Sequence, residues 1–293
     1  MTPRATVLIP TFNHGPLLTL AVESARRQSE PRLEIFIIGD GATPETRAAA
    51  ESLTRADDRI RFTAFPKDSS KGERYRPLIL QEAKGEIVCY LADDDLWTPD
   101  HVETMLDLLA GSAADFAMTL QVRPSPRGGL TLGPAGYVDL NRPHHRRLCA
   151  QPTSGFANGL SCVAHTLEFY RSLPHGWRTT PAGIPTDGWM WKQCLTRPGV
   201  RATSRCRATA VHFHSPPRAR WPIERRLEEM TRFYDGFAAG EQDGELRRLE
   251  RVAARAPAIR TAWEVLWMQL HHTRLTGVPA MRLAKSIVNR PVP

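Results

Sequence analysis

Three adjacent carboxylates, Asp93-Asp94-Asp95, follow the apolar stretch Ile87 to Leu91 and precede Leu96-Trp97-Thr98-Pro99. Acid groups packed this closely repel one another. They are stable at a strand end mainly where a divalent cation, water or a helix amino terminus shares their charge. A hard divalent metal held there would grip phosphate. The same residues also read as an acidic helix cap, with Asp95 capping a helix that carries Pro99 in its first turn. Two other strand ends carry polar residues. After Ala5 to Ile9 comes Pro10-Thr11-Phe12-Asn13, and after Leu33 to Ile38 comes Gly39-Asp40-Gly41-Ala42. The glycines let the backbone approach a ligand, and Asp40 could accept a hydrogen bond from a base or ribose. Asp40-Gly41 equally reads as a plain turn.

The elements that bring these residues together follow from periodicity. Strands are expected over 5–9, 33–38, 60–65 and 87–91, alternating with helices over 17–27, 44–55 and 76–83. That alternation implies an α/β fold, a mostly parallel sheet with helices on both faces, and ligands gathered at the carboxyl ends of the strands. Beyond residue 110, strands are expected over 114–119, 159–166 and 208–213, with a short helix over 167–173. The Pro-, Gly- and Arg-rich stretch 124–147 reads as an irregular insertion. From Pro222 to the end the pattern is helical, with breaks near Gly240, Pro257 and Gly277, and Trp263 and Trp267 share a buried face with Leu266 and Leu270.

Composition narrows the function classes. The 293 residues hold no run of about 18 apolar residues that would cross a bilayer, and the start lacks the pattern of a signal peptide, so a cytoplasmic location is expected. Five scattered cysteines without a Cys-x-x-Cys pair indicate neither a zinc cluster nor a disulfide framework. The net charge of +8 comes without an RNA- or DNA-recognition motif, so no nucleic-acid partner is expected. From Arg218 onward 14 basic residues face 9 acidic ones, which suits an anionic membrane surface or an acidic acceptor.

Taken together, Thr6-Val7-Leu8-Ile9-Pro10-Thr11-Phe12-Asn13, Ile35-Phe36-Ile37-Ile38-Gly39-Asp40-Gly41-Ala42 and Gly85 through Pro99 resemble, in order and spacing, the family 2 glycosyltransferases. The resemblance implies a GT-A, Rossmann-like catalytic domain over 1–220, with a nucleotide-sugar half at 1–110 and an acceptor half at 111–220. The C-terminal helical region would cover 221–293. It also implies an inverting, metal-dependent transfer from a nucleoside-diphosphate sugar, most plausibly UDP-linked, to a glycan, lipid-linked or small-molecule hydroxyl. The expected location stays cytoplasmic, with the basic tail adding an alternative in which the protein lies peripherally at the inner face of the cell membrane.

The resemblance further implies residue roles. Pro10, Thr11 and Asn13 would lie beside the nucleotide, Asp40 would contact base or ribose, and Asp93 and Asp94 would face the diphosphate. Arg76, in Lys71-Gly72-Glu73-Arg74-Tyr75-Arg76, matches an arginine of the family's Gly-rich segment, and Arg218 belongs to a loop that would close over the diphosphate. Asp94, Asp95 and His214 are the expected ligands of the Mn or Mg that the resemblance implies. Asp187, in Pro185-Thr186-Asp187-Gly188-Trp189, would be the general base; on local sequence alone it also reads as an N-cap. The chain departs from the pattern at Gly39, where a second acid is usual, at Ala92, where many members carry the first acid of Asp-x-Asp, and at Tyr75 and Pro77 around Arg76. Those departures leave a non-catalytic glycan-binding or scaffold protein as one alternative; a sugar nucleotidyltransferase, which also combines an α/β sheet with acidic metal ligands, is another. The second would need a triphosphate-binding loop near the first strand, and none is evident.

Overall fold

The computed structural model describes residues 2–125, 128–133, 135–154, 159–213, 218 and 220–255. Alternation of apolar runs with amphipathic segments produces β1 (Ala5–Thr11), α1 (Gly15–Arg26), β2 (Leu33–Asp40), α2 (Pro44–Ala56), β3 (Ile60–Phe65), α3 (Arg76–Glu82) and β4 (Ile87–Tyr90). The short β5 (Leu96–Trp97), α4 (His101–Gly111) and β6 (Phe116–Pro124) follow. Then come β7 (Leu130–Leu132), α5 (Pro143–Cys149), β8 (Val163–Thr166), α6 (Leu167–Ser172), α7 (Thr186–Leu195) and β9 (Ala202–Val211). The described chain closes with α8 (Ile223–Ala239) and α9 (Asp243–Arg255).

Among the described residues the sheet has nine strands in the order β3-β2-β1-β4-β8-β6-β9-β5, with β7 on the side of β6. The expected parallel arrangement holds across β3, β2, β1 and β4, whose connections each contain a crossover helix. Beyond β4 the sheet is mixed. β8 runs antiparallel to β4 and β6, β5 antiparallel to β9, and β6 parallel to β9.

Successive strand residues face opposite sides, and each side has its own core. Val7, Ile9, Ile35, Ile37 and Cys89 pack with α1, α4 and the apolar stripe of α8 and α9. Leu8, Phe36, Ile38, Val88 and Tyr90 pack with Ile79 and Leu80 of α3 and with Trp177, Met190 and Trp191. The C-terminal helices are therefore built onto the sheet through Met230, Phe233, Phe237, Leu246 and Leu249.

The expected insertion at 124–147 contains β7 and runs into α5, and the strand expected at 159–166 begins instead with a 3-10 turn at Leu160–Cys162. β9 starts six residues before its expected position because its first half, Ala202-Thr203-Ser204-Arg205-Cys206, includes polar residues rather than forming an apolar run. His214, the breaks near Pro257 and Gly277, and the Trp263/Trp267 face lie outside the described residues. Among the described residues no helix is long and apolar enough to cross a membrane.

Candidate active site

Registers Leu8↔Tyr90 and Thr11↔Gly39 place the carboxyl ends of β1, β2 and β4 side by side. Thr11, Asp40 and the aspartate run therefore converge, as adjacent parallel strands dictate. His14 forms the N-cap of α1 at the same edge, and Pro16, the second residue of the helix, needs no amide partner there. The positive end of α1 thus faces the acids.

The three aspartates have three different environments. Asp93 accepts the Thr11 hydroxyl at 2.6 Å through Oδ2 and meets His14 Nδ1 at 3.0 Å through Oδ1. Asp94 Oδ2 accepts from Arg226 Nη2 of α8 at 2.7 Å. Asp95, 1% exposed, accepts from Ser161 Oγ at 2.5 Å, from the Phe213 amide at 3.0 Å and from His212 Nδ1 at 3.0 Å. The pairing Leu96↔Val211 explains the last contact, since it sets the preceding residue of β5 against the one following β9. Burial, then Asp95 and Asp93, push the Asp94 carboxyl up to about 6 against His14 and Arg226. Burial alone would lower the His212 imidazole, but Asp95, Asp94 and Asp187 outweigh it and raise it to about 9.

Among the described residues His14, Asp93 and Asp94 form a set whose ligand atoms all lie within 4.8 Å of one another. The two carboxylates fit Mn or Mg and the imidazole favours Mn of the two, with other positions left to water or phosphate oxygen. Asp95, expected as a metal ligand, is not in that set; its oxygens are held by Ser161, His212 and the Phe213 amide. His14 was not singled out from the sequence. The signal available was an imidazole directly after the β1 end, at a helix start.

Asp40, 5% exposed, accepts the Asp68 amide at 2.6 Å and pairs with Lys67. Gly72 has φ +65° and leaves no room for a side chain, because a Cβ there would lie 2.8 Å from Asp40 Cβ. Lys67 Nζ sits 4.8 Å above the ring of Phe12, which is 40% exposed at the rim, and Asn13 is exposed beside it. Pro10 is half-buried within β1.

Asp187 occupies the first turn of α7 and accepts the Leu160 amide at 3.1 Å. The neighbouring Ser161 holds Asp95, so a single turn ties Asp187 to the aspartate run. Burial raises the Asp187 carboxyl above the ordinary range, with Arg76, Lys71 and His212 opposing it. Arg76, 4% exposed, lies 4.0 Å over Trp177, and its Nε and Nη1 have no partner among the described residues. Burial lowers its basicity, while Asp187 and Glu73 favour its charge. Glu73 in turn accepts the Thr186 hydroxyl at 3.2 Å, joining the Gly72 loop to the start of α7. Arg218 is buried, bonded to both carboxylate oxygens of Glu229 and set 5.4 Å over Trp221.

Residues 6–154 match the family model described as glycosyl transferase family 2. A Campylobacter jejuni protein named GalNAc(5)-diNAcBac-PP-undecaprenol beta-1,3-glucosyltransferase is 34% identical over 95 residues, 32% of this chain and 30% of that protein. The structure of Staphylococcus aureus TarS residues 1–349 with UDP-GlcNAc superimposes with a TM-score of 0.57 at 14% identity, covering 72% of this chain and 58% of the other. The mannosyltransferase PcManGT from Pyrobaculum calidifontis, in complex with GDP-Man and Mn2+, gives a TM-score of 0.53 at 19% identity over 98% of this chain and 80% of its own. These structures share the GT-A fold with the chain, and the chain spans about a third of the curated relative's length.

Proposed function

The chain belongs to glycosyl transferase family 2, and from that membership we propose that it transfers a sugar from a nucleoside-diphosphate donor to an acceptor hydroxyl with inversion at the anomeric carbon. A UDP-sugar is the first donor to test, with GDP-, dTDP- and CDP-sugars behind it. The observation that carries the reading is the meeting of Thr11, Asp40, Asp93 and Asp94 at the ends of three parallel strands, tied through Leu160-Ser161 to Asp187.

In this reading the nucleoside lies along the ends of β1 and β2, beside Pro10, Thr11 and Asn13, with Asp40 as the acceptor for base or ribose. The loop through Lys67 and Asp68 holds that carboxylate in place. The diphosphate lies toward the amino terminus of α1, whose free amides and dipole favour an anion. Asp93, Asp94 and His14 would hold Mn or Mg, which when bound supplies Lewis-acid stabilisation of the leaving diphosphate. Arg76 adds a buried positive charge near Asp187, and Arg218 braces the chain near Trp221 from its pairing with Glu229. Asp187 takes the acceptor proton as that oxygen attacks the anomeric carbon; its raised basicity suits the task, and one base is all that inversion needs.

The acceptor we favour is a glycan or lipid-linked sugar. Its support is the lipid carrier in the Campylobacter relative's name and the basic surplus after Arg218. Transfer to such an acceptor would take place in the cytoplasm at the inner face of the cell membrane. The test is incubation with a panel of nucleotide sugars and lipid-linked or oligosaccharide acceptors. Release of one nucleoside diphosphate and an inverted anomeric proton in the product NMR spectrum are expected. A retained configuration would overturn the single-base mechanism, and no release from any donor would overturn the activity.

A further inference from the structure

Arg226 reaches the acid cluster from α8, well outside the segment 6–154 that matches the family model. Its side chain is 12% exposed. Nη2 lies 2.7 Å from Asp94 Oδ2 and Nη1 lies 3.2 Å from His14 Nε2, while the buried Nε has no partner among the described residues. With its Nε2 accepting from Arg226, His14 carries its proton on Nδ1 and donates it to Asp93, so one guanidinium fixes the donor direction of the whole cluster. The helix that delivers it is firmly seated. Met230, Phe233 and Phe237 share a core with Leu17, Leu18 and Ala21 of α1, and Arg27 lies 5.2 Å over Tyr234.

A buried guanidinium nitrogen without an acceptor is costly, and an anion with several oxygens removes that cost. Arginine's planar fork matches phosphate oxygens in pairs. The guanidinium also stands beside the amino terminus of α1, where an anion is favoured. We propose that Arg226 is a direct contact of the donor's diphosphate, neutralising Asp94 while no nucleotide is bound and turning its donors to phosphate oxygens when one enters. The inference rests on the donor-site reading given above. It makes α8 part of the nucleotide site, so that the catalytic sheet without this helix binds the leaving group incompletely.

The experiment is titration of wild type, Arg226→Ala, Arg226→Lys and Arg225→Ala with UDP and GDP by calorimetry, and with uridine and guanosine by NMR, alongside thermal unfolding of each. Arg225 is the control, an exposed neighbour whose guanidinium lies over Trp221 and whose loss changes the net charge equally. Arg226→Ala is expected to weaken diphosphate binding about tenfold or more, with partial recovery in Arg226→Lys. Nucleoside binding and the Arg225→Ala variant should match wild type. Unchanged diphosphate affinity in Arg226→Ala would overturn the assignment, and so would an equal loss for the nucleoside, because that loss would not depend on phosphate. If wild type binds neither of these diphosphates, nor dTDP or CDP, the donor-site reading itself falls, a result distinct from a silent Arg226.

Discussion

Replacing Asp187 by Asn removes a charge while preserving shape. The carboxylate's backbone contact, the Leu160 amide at 3.1 Å, can be kept by the Asn side-chain oxygen, so α7 and the Leu160-Ser161 turn should stay in place. What disappears is the proton acceptor. A positioned general base contributes about 10²–10⁴ in rate, or roughly 3–5 kcal/mol of barrier. The donor side, built on Thr11, Asp40, Asp93 and Asp94, does not depend on Asp187. The turnover of Asp187→Asn should therefore fall by about two to four orders of magnitude while UDP affinity changes less than about twofold. The pH profile adds a second reading. Burial raises the Asp187 carboxyl, and a base works only when ionised, so wild-type activity should fall on the acid side at a pH above the usual aspartate range. The Asn variant should lack that limb. Turnover within about tenfold of wild type, or a parallel fall in UDP affinity, would remove Asp187 from the base role.

Other consequences can be checked on stability. His101 and His165 are fully buried, and burial lowers them to about 3 and about 4. Both stay neutral in the fold while the unfolded chain takes up protons below about pH 6.5, so each should cost about 2 kcal/mol on going from pH 6.5 to 5. Protonation of Asp94, which burial raises to about 6, acts in the opposite direction over the same window, so the measurement is urea unfolding of wild type and of His165→Gln at both pH values; an equal pH dependence in the two proteins would contradict it. Asp95→Ala removes the acceptor shared by Ser161, His212 and the Phe213 amide, and should lower stability by about 3–5 kcal/mol; an unchanged melting temperature would show those contacts to be idle. Gly72→Ala forces a side chain into the left-handed region at about 1–2 kcal/mol and toward Asp40, so it should lower both the melting temperature and nucleotide affinity. Loss of stability with full affinity would separate the turn from the site.

The first hundred residues were legible because their apolar runs are short, buried and separated by amphipathic helices. β3 at Ile60–Phe65 falls on its expected residues, and α2 extends one residue past its expected end. The second half was less so. β9 begins Ala202-Thr203-Ser204-Arg205, where the buried Thr203 and Ser204 are polar and hide the strand, and α5 opens with Pro143-His144-His145-Arg146-Arg147, whose apolar face is only Leu148 and Cys149. The run Asp93-Asp94-Asp95 could be found in the sequence but not divided. Nothing local separates Asp94 from Asp95; the distinction comes from β5 pairing with β9, which gives Asp95 to His212 and leaves Asp94 to Arg226. His14 and Arg226 escaped for the same reason. Their meeting depends on how α8 packs on α1, a contact between segments about 200 residues apart that no local pattern encodes.

The central claim is a nucleoside-diphosphate site at the ends of β1, β2 and β4 that uses a metal through Asp94. Calorimetric titration with UDP, GDP, dTDP and CDP, each with and without Mn, in wild type and Asp94→Asn, tests it most directly. The account predicts that one diphosphate binds wild type more tightly with Mn than without, and that Asp94→Asn loses the Mn-dependent gain. Binding of none of the four, or a Mn-dependent gain that survives in Asp94→Asn, would contradict it.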